Sequence, residues 1–340
     1  MAYDLLGDLG AILSRRRPSN CMEEEEMSRN RFRRVLPVLL AGVAAVAPSV
    51  FAQGIPNEAL LPTTATITVE TKTLRPLDPS KLKLQVGRDV IPIRSVTPIP
   101  PPTTQLAILI DDGLRGSFDN QLNDLAQFIM DLPPGVQVLL GYMRNGIVLG
   151  MHSFSADHRA VVKQIRIPIQ IAGVDASPYF TLSQFVKQWP SNLPGPRFVL
   201  MITNGIDPYN GSYSIMNQDS PYVQTAQEDA ERAGVAVYSI YWGQDWPHRA
   251  RGSLSGQSYL AQVGEATGAE SYNIGTITPP DLTPYLKDFK QAVGNSYLVR
   301  FDLPATKLKA DTLVHIKLTT SQKGIKLHVP QNVHPGVNLD

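Results

Sequence analysis

Three nearly continuous apolar runs constrain this chain more than any other feature: Leu106 to Ile110, Phe198 to Ile202 and Val235 to Ile240. A strand with one wet face alternates polar and apolar side chains. A run that is apolar at almost every position fits a strand covered on both faces. Helical periodicity separates the runs. Phe118, Leu122, Leu125 and Ile129 make one such stripe, ended by Pro133-Pro134-Gly135. Phe180 to Trp189 and Thr225 to Ala233 make two more, the second with Gly234 placed as its C-terminal cap. Tyr259 to Thr267, closed by Gly268, and the series Leu282, Tyr285, Leu286, Phe289 and Val293 complete the helices. Val136 to Tyr142 and Gly146 to Phe154 supply two further strands. This alternation predicts an α/β fold over residues 105–294: a doubly wound, mainly parallel, Rossmann-like sheet flanked by helices.

Both flanks read as β structure. In the segment 53–97, Ala65 to Glu70 and Lys81 to Val86 alternate, and Gly87-Arg88-Asp89 turns into Val90 to Ile93. In the segment 295–340, Ser296 to Leu303, Leu313 to Thr319 and Ile325 to Val329 do the same. Neither flank has enough strands to be stable alone, so the two are expected to pair as a small accessory β region. Residues 98–104, rich in proline, form the linker between the N-terminal β segment and the α/β domain.

Residues 1–52 do not read as part of a fold. A basic stretch at residues 29–34 precedes the apolar run Val35 to Ala47, and Pro48-Ser49-Val50-Phe51-Ala52 ends in small residues at the right spacing. That is the layout of a secretory signal, with cleavage expected after Ala52 to leave Gln53 first. An uncleaved membrane anchor is the alternative, but the apolar run falls short of the roughly 20 residues that span a bilayer. The acidic run Glu23 to Glu26 sits oddly ahead of such a signal, and Met27 is the expected true start. The expected location is secreted or periplasmic.

Loss of these 52 residues removes 7 basic and 6 acidic side chains and leaves 24 of each. A neutral protein has no global field for nucleic acid or an acidic membrane surface. Cys21, the only cysteine, is lost as well, which excludes disulfides, thiol catalysis and thiolate-bound metal from the mature chain. The six histidines are His152, His158, His248, His315, His328 and His334; none has a metal-ligand spacing or a nucleophile motif beside it. Asp111 and Asp112 are adjacent on a strand, so their side chains point to opposite faces and make no acid–base couple.

The order of motifs resembles a von Willebrand factor A domain of the VWFA-related group found in secreted bacterial proteins. Three segments carry it: Leu106 to Ser117, Phe198 to Asp207 and Ala233 to Ile240. The resemblance implies a divalent-cation site at the C-terminal edge of the sheet, built from Asp-x-Ser-x-Ser, a loop Thr and an Asp after the fourth strand. Here Asp111 fits the first position, but the two serine positions fall on Gly113 and Arg115. Ser177 or Thr181 stands near the loop Thr, Thr203 is present, and Asn204 replaces the acid. A register starting at Asp112 continues with Leu114 and Gly116 and is no better. The expectation is therefore a degenerate site without a metal or other cofactor, with Arg115 pairing with Asp111 or Asp112. If a cation such as Mg²⁺ did bind, Asp111, Thr203, Asn204 and Asp207 would hold it, although Asp207 before Pro208 also reads as a turn residue.

Two aromatic loops leave the same sheet edge. Tyr209, Tyr213 and Tyr222 lie in or beside the first, and Trp242, Trp246, His248, Arg249 and Arg251 in the second. Tyr, Trp and Arg dominate binding hot spots, so these eight are the expected partner-binding residues. The reading that follows is a non-catalytic, extracytoplasmic protein-binding or adhesion module with a protein partner and no need of metal. The alternatives are a structural subunit of a cell-envelope assembly, or a metal-dependent hydrolase using Asp111 and Asp207.

Overall fold

In the computed structural model of the protein, the described residues are 60–71, 76–114, 116–144, 146–169, 177–210, 219–243, 249–275, 278–305 and 311–339. The proposed signal at residues 1–52 lies outside them. Four strands open the chain: β1 (Leu60–Thr71), β2 (Leu82–Val86), β3 (Asp89–Ile91) and β4 (Ile93–Pro98). The α/β part follows as β5 (Gln105–Asp111), α1 (Leu122–Met130), β6 (Gln137–Arg144), β7 (Ile147–Gly150), α2 (His158–Val162), α3 (Pro178–Lys187), β8 (Arg197–Thr203), α4 (Pro221–Arg232), β9 (Val235–Tyr241), α5 (Arg249–Ala266), β10 (Ser271–Tyr272) and α6 (Thr283–Gly294). The chain closes with β11 (Ser296–Pro304), β12 (Val314–His315), β13 (Lys317–Thr320), β14 (Ile325–His328) and β15 (Asn332–Val333).

The apolar runs are the middle of a mixed six-stranded sheet of order β10-β9-β8-β5-β6-β7. Every pair is parallel except β6 with β7. On one face Leu106, Ile108 and Ile110 pack with Phe128 and Ile129 of α1 and Phe289 of α6. On the other, Ala107 and Leu109 pack with Leu182 and Phe185 of α3, Ala226 of α4 and Val263 of α5. Period-two alternation thus sends successive β5 residues into two apolar layers. Each fully buried Leu or Ile contributes about 1.5–3 kcal/mol.

The third predicted strand is shorter than the run Gly146 to Phe154. It stops at Gly150, whose φ of +121° turns the chain out of the ladder. The helix predicted from Tyr259 instead begins at Arg249, which moves Arg249 and Arg251 out of a loop and into α5. Strand β4 runs through Pro98, inside the expected linker. Proline is tolerated there because β4 is the edge strand of its sheet. The run Leu313 to Thr319 is divided at Ile316 between two strands in different sheets.

Both terminal segments meet in an antiparallel sheet of order β14-β1-β11-β4, beside a three-stranded sheet of order β13-β2-β3. Ile67, Val69, Leu84, Val299, Phe301 and Leu318 share its core. Polar contacts fasten this region to the α/β part. Thr68 Oγ1 lies 2.7 Å from the Tyr238 hydroxyl, and Asn332 donates through its backbone N–H and its side-chain amide to Glu231 at 3.0 Å. Burial pushes the Glu231 carboxyl up to about 7, against the lowering effect of those Asn332 hydrogen bonds.

Candidate functional site

Strands β5 and β8 are parallel neighbours, so Asp111 and Thr203 end side by side at the C-terminal edge. Thr203 Oγ1 donates to Asp111 Oδ2 at 2.7 Å, and the backbone N–H of Gly113 donates to Asp111 Oδ1 at 2.9 Å. The same threonine hydroxyl accepts from Gly205 N at 3.2 Å. Asn204 Oδ1 accepts from Ile206 N at 2.9 Å, which commits its oxygen to the local turn. Ser177 caps α3 and Thr181 bonds back to the Ser177 carbonyl, so neither offers a free loop hydroxyl.

Asp207 sits in a different arrangement from Asp111. It accepts from the Ser220 hydroxyl at 2.5 Å and from Tyr209 N at 3.1 Å. Ser220 in turn caps α4 by accepting from Tyr222 N and Val223 N. Its carboxylate therefore stabilises a helix start, where negative charge is favoured. It is a turn-and-cap residue, which is also how the step before Pro208 reads in sequence.

Asp112 is fully buried and has partners different from those of Asp111. Arg166 grips it through two nitrogens at 2.6 and 3.2 Å, and Ile169 N donates to it at 3.2 Å. The guanidinium lies 3.8 Å over the ring of Tyr142, whose hydroxyl donates to the Arg166 carbonyl and accepts from its N–H. Burial pushes the Tyr142 hydroxyl above its ordinary range, the Arg166 hydrogen bond and charge opposing it. Arg115, the expected partner, lies outside the described residues, and the cation on Asp112 is Arg166.

These residues do not fit a hard dication. Such an ion wants about six oxygens. Here the Asp111 carboxylate already accepts from Thr203 and Gly113, the Asn204 oxygen accepts from Ile206, and Gly113 brings no side-chain oxygen. The hydrolase reading, which needs Asp111 and Asp207 to share a metal, gains no support from two carboxylates engaged by different protein donors.

The aromatic residues divide. Trp242 is 1% exposed and meets Phe118 edge-on with ring centroids 5.4 Å apart, so it belongs to the core and not to a binding surface. Trp242 directly follows β9, and its backbone N–H donates to the Thr203 carbonyl at 2.9 Å. Tyr209 is 52% exposed and lies against Tyr222 at 5.4 Å between centroids. Tyr213, Trp246 and His248 lie outside the described residues, and Arg249 and Arg251 belong to the first turn of α5.

Sequence reasoning missed four exposed apolar side chains on the same rim: Ile147, Ile167, Ile169 and Phe180. Ile147 pairs with Arg144, the last residue of β6, and Ile169 hangs from Asp112. The Phe180 ring lies beside Gly146 (φ +80°), where an added Cβ would come within 2.5 Å of the ring. Behind the rim, Gly205 and Gly256 let the β8–α4 loop touch α5. A Cβ on Gly205 would sit 2.4 Å from the Gly256 carbonyl oxygen.

No known family model matches the chain, and no curated protein matches it in sequence. Among solved structures it is similar to an aerotolerance-related membrane protein from Bacteroides fragilis, at 12% identity and a TM-score of 0.40, over 56% of this chain and 98% of that one. It is similar to BatB from Bacteroides thetaiotaomicron at 11% identity and a TM-score of 0.39, over 56% and 97%. The human COPII-coat protein Sec24c is also similar, at 9% identity and a TM-score of 0.38, over 70% and 44%.

Proposed function

We propose that this chain is an extracytoplasmic protein-binding module with a doubly wound, von Willebrand A-type domain whose C-terminal rim docks a partner without a metal ion. One observation carries the reading: Ile147, Ile167, Ile169, Phe180 and Tyr209 stand exposed around a sheet edge where Asp111 and Thr203 are already bonded to each other. Water-facing apolar clusters on a rim mark interaction surfaces more often than scattered single residues do. The order of the parallel strands and the position of the Asp111–Thr203 pair support the von Willebrand A-type arrangement.

Photo-crosslinking in the source cells tests this. A crosslinker at Phe180 is expected to trap a defined protein, and the adduct should survive EDTA and disappear when Ile167 and Ile169 are changed to Ser. A crosslinker at Val90, exposed in the accessory region, serves as the comparison. Equal trapping from Val90, or loss of trapping in EDTA, would overturn the proposal.

A further inference from the structure

Beside β10, the edge strand opposite β7 in the six-stranded sheet, Glu70 next to the end of β1, Glu270 just before β10 and His328 at the end of β14 converge. His328 Nε2 lies 3.0 Å from Glu70 Oε2 and 3.0 Å from Glu270 Oε1, and the ligand atoms of all three lie within 4.8 Å of one another. An imidazole Nε2 carries at most one hydrogen, which cannot be directed at both oxygens. A single N–H shared between two carboxylates leaves each with a bent, weak hydrogen bond, whereas a dication among the three ligand atoms would satisfy all of them. Ligand bonds of about 2.1 Å, at angles from square to tetrahedral, hold neighbouring ligand atoms about 3.0–3.4 Å apart. The two distances from His328 sit at the short edge of that range, and the two carboxylates lie within 4.8 Å of each other.

The surroundings are polar and acidic. The three residues line a cavity of about 260 Å³ together with Asp288, Asn295 and Tyr272. The Tyr272 hydroxyl has no hydrogen-bond partner among the described residues, which leaves a donor for a ligand-bound water. The compensating cation is Lys326, whose Nζ sits 2.9 Å from Glu70 Oε2. Its side chain is 67% exposed, so it can swing into solvent when a dication takes its place.

We infer that Glu70, Glu270 and His328 form a binding site for a transition-metal dication, Zn²⁺ being the best fit to one imidazole and two carboxylates. The ion leaves coordination positions open to water, as three protein ligands do. It joins β1 and β14 of the terminal sheet to the loop entering β10, so it staples the accessory region to the α/β part. Ion binding at this site is separate from partner docking on the rim.

Titration of the untagged full chain with Zn²⁺ alone, followed by calorimetry and thermal unfolding, tests the inference. The expected result is one equivalent bound, reversed by chelator, with a raised unfolding midpoint. His328→Gln and Glu270→Gln should weaken binding at least tenfold, and His315→Gln should leave it unchanged. Lys326→Ala, at an exposed position, should tighten binding severalfold by removing the competing charge, and it decides the matter if the first two variants do not fold. Absence of saturable one-to-one binding, wild-type affinity in His328→Gln and Glu270→Gln, or no tightening in Lys326→Ala would overturn the site.

Discussion

Arg166 and Asp112, 54 residues apart in sequence, form a two-pronged ion pair in which the carboxylate is wholly buried and the guanidinium keeps a third of its surface. The pair holds residues 166–169 against the end of the sheet and so sets where Ile167 and Ile169 stand. Removing the arginine strands a charge in the interior. Arg166→Ala is expected to cost about 2–3 kcal/mol in urea unfolding, below the full range for buried pairs because water reaches the guanidinium. Arg166→Lys should recover only part, since an ammonium cannot make the fork.

Thr203→Val tests the state of the sheet edge. It removes the hydroxyl that donates to Asp111 Oδ2 and accepts from the Gly205 N–H and should cost about 1–3 kcal/mol of stability. Thr203→Ser should be nearly neutral. Partner capture should persist in the valine variant at temperatures where it is folded. Abolished capture with intact stability would mean that Thr203 serves a ligand and not the fold.

Stability should fall as pH rises through the range set by Glu231. Its carboxyl titrates near 7 when folded, against the ordinary 4.5. Between those values the folded chain keeps the proton and the unfolded chain does not, so unfolding becomes easier with rising pH. The group alone should account for a loss of about 2–3 kcal/mol between pH 4.5 and 8. Glu231→Gln keeps an acceptor for Asn332 and should flatten that slope, with the variant the more stable form at pH 8. A slope unchanged in the variant would show that another group drives it.

Export is tested at the amino terminus. The basic, apolar and small-residue succession ending at Ala52 predicts that the envelope or medium fraction yields a chain starting at Gln53. A full-length product retained in the cytoplasm would contradict it.

The strands of the α/β part were legible because each carries its own evidence. Five apolar residues in a row at Leu106 or Phe198 demand cover on two faces wherever the chain goes. Trp242 was not legible. Pattern places it at the end of a strand but cannot say that Phe118, 124 positions earlier, waits for its ring. Arg166 had no local signature either, since a buried Asp after a strand calls for a cation without naming which. His328 fails every spacing rule for metal ligands because its companions are Glu70, brought in by strand pairing, and Glu270, brought in from another sheet, neither of them by a helical repeat.

The pairing of β1 with β11 and β14 also fixes an order of events. Thr68 must wait for Ser296, 228 residues on, and Glu70 for His328, 258 residues on. A chain threaded through a membrane amino end first would present Ala65-Thr66-Ile67-Thr68-Val69 to the far side long before its partners emerge. Closing loops of that length is slow, and an unpaired strand of β-branched residues is prone to stick to its own kind. Such a protein folds last where it began first, and its yield depends on what shelters β1 during the interval.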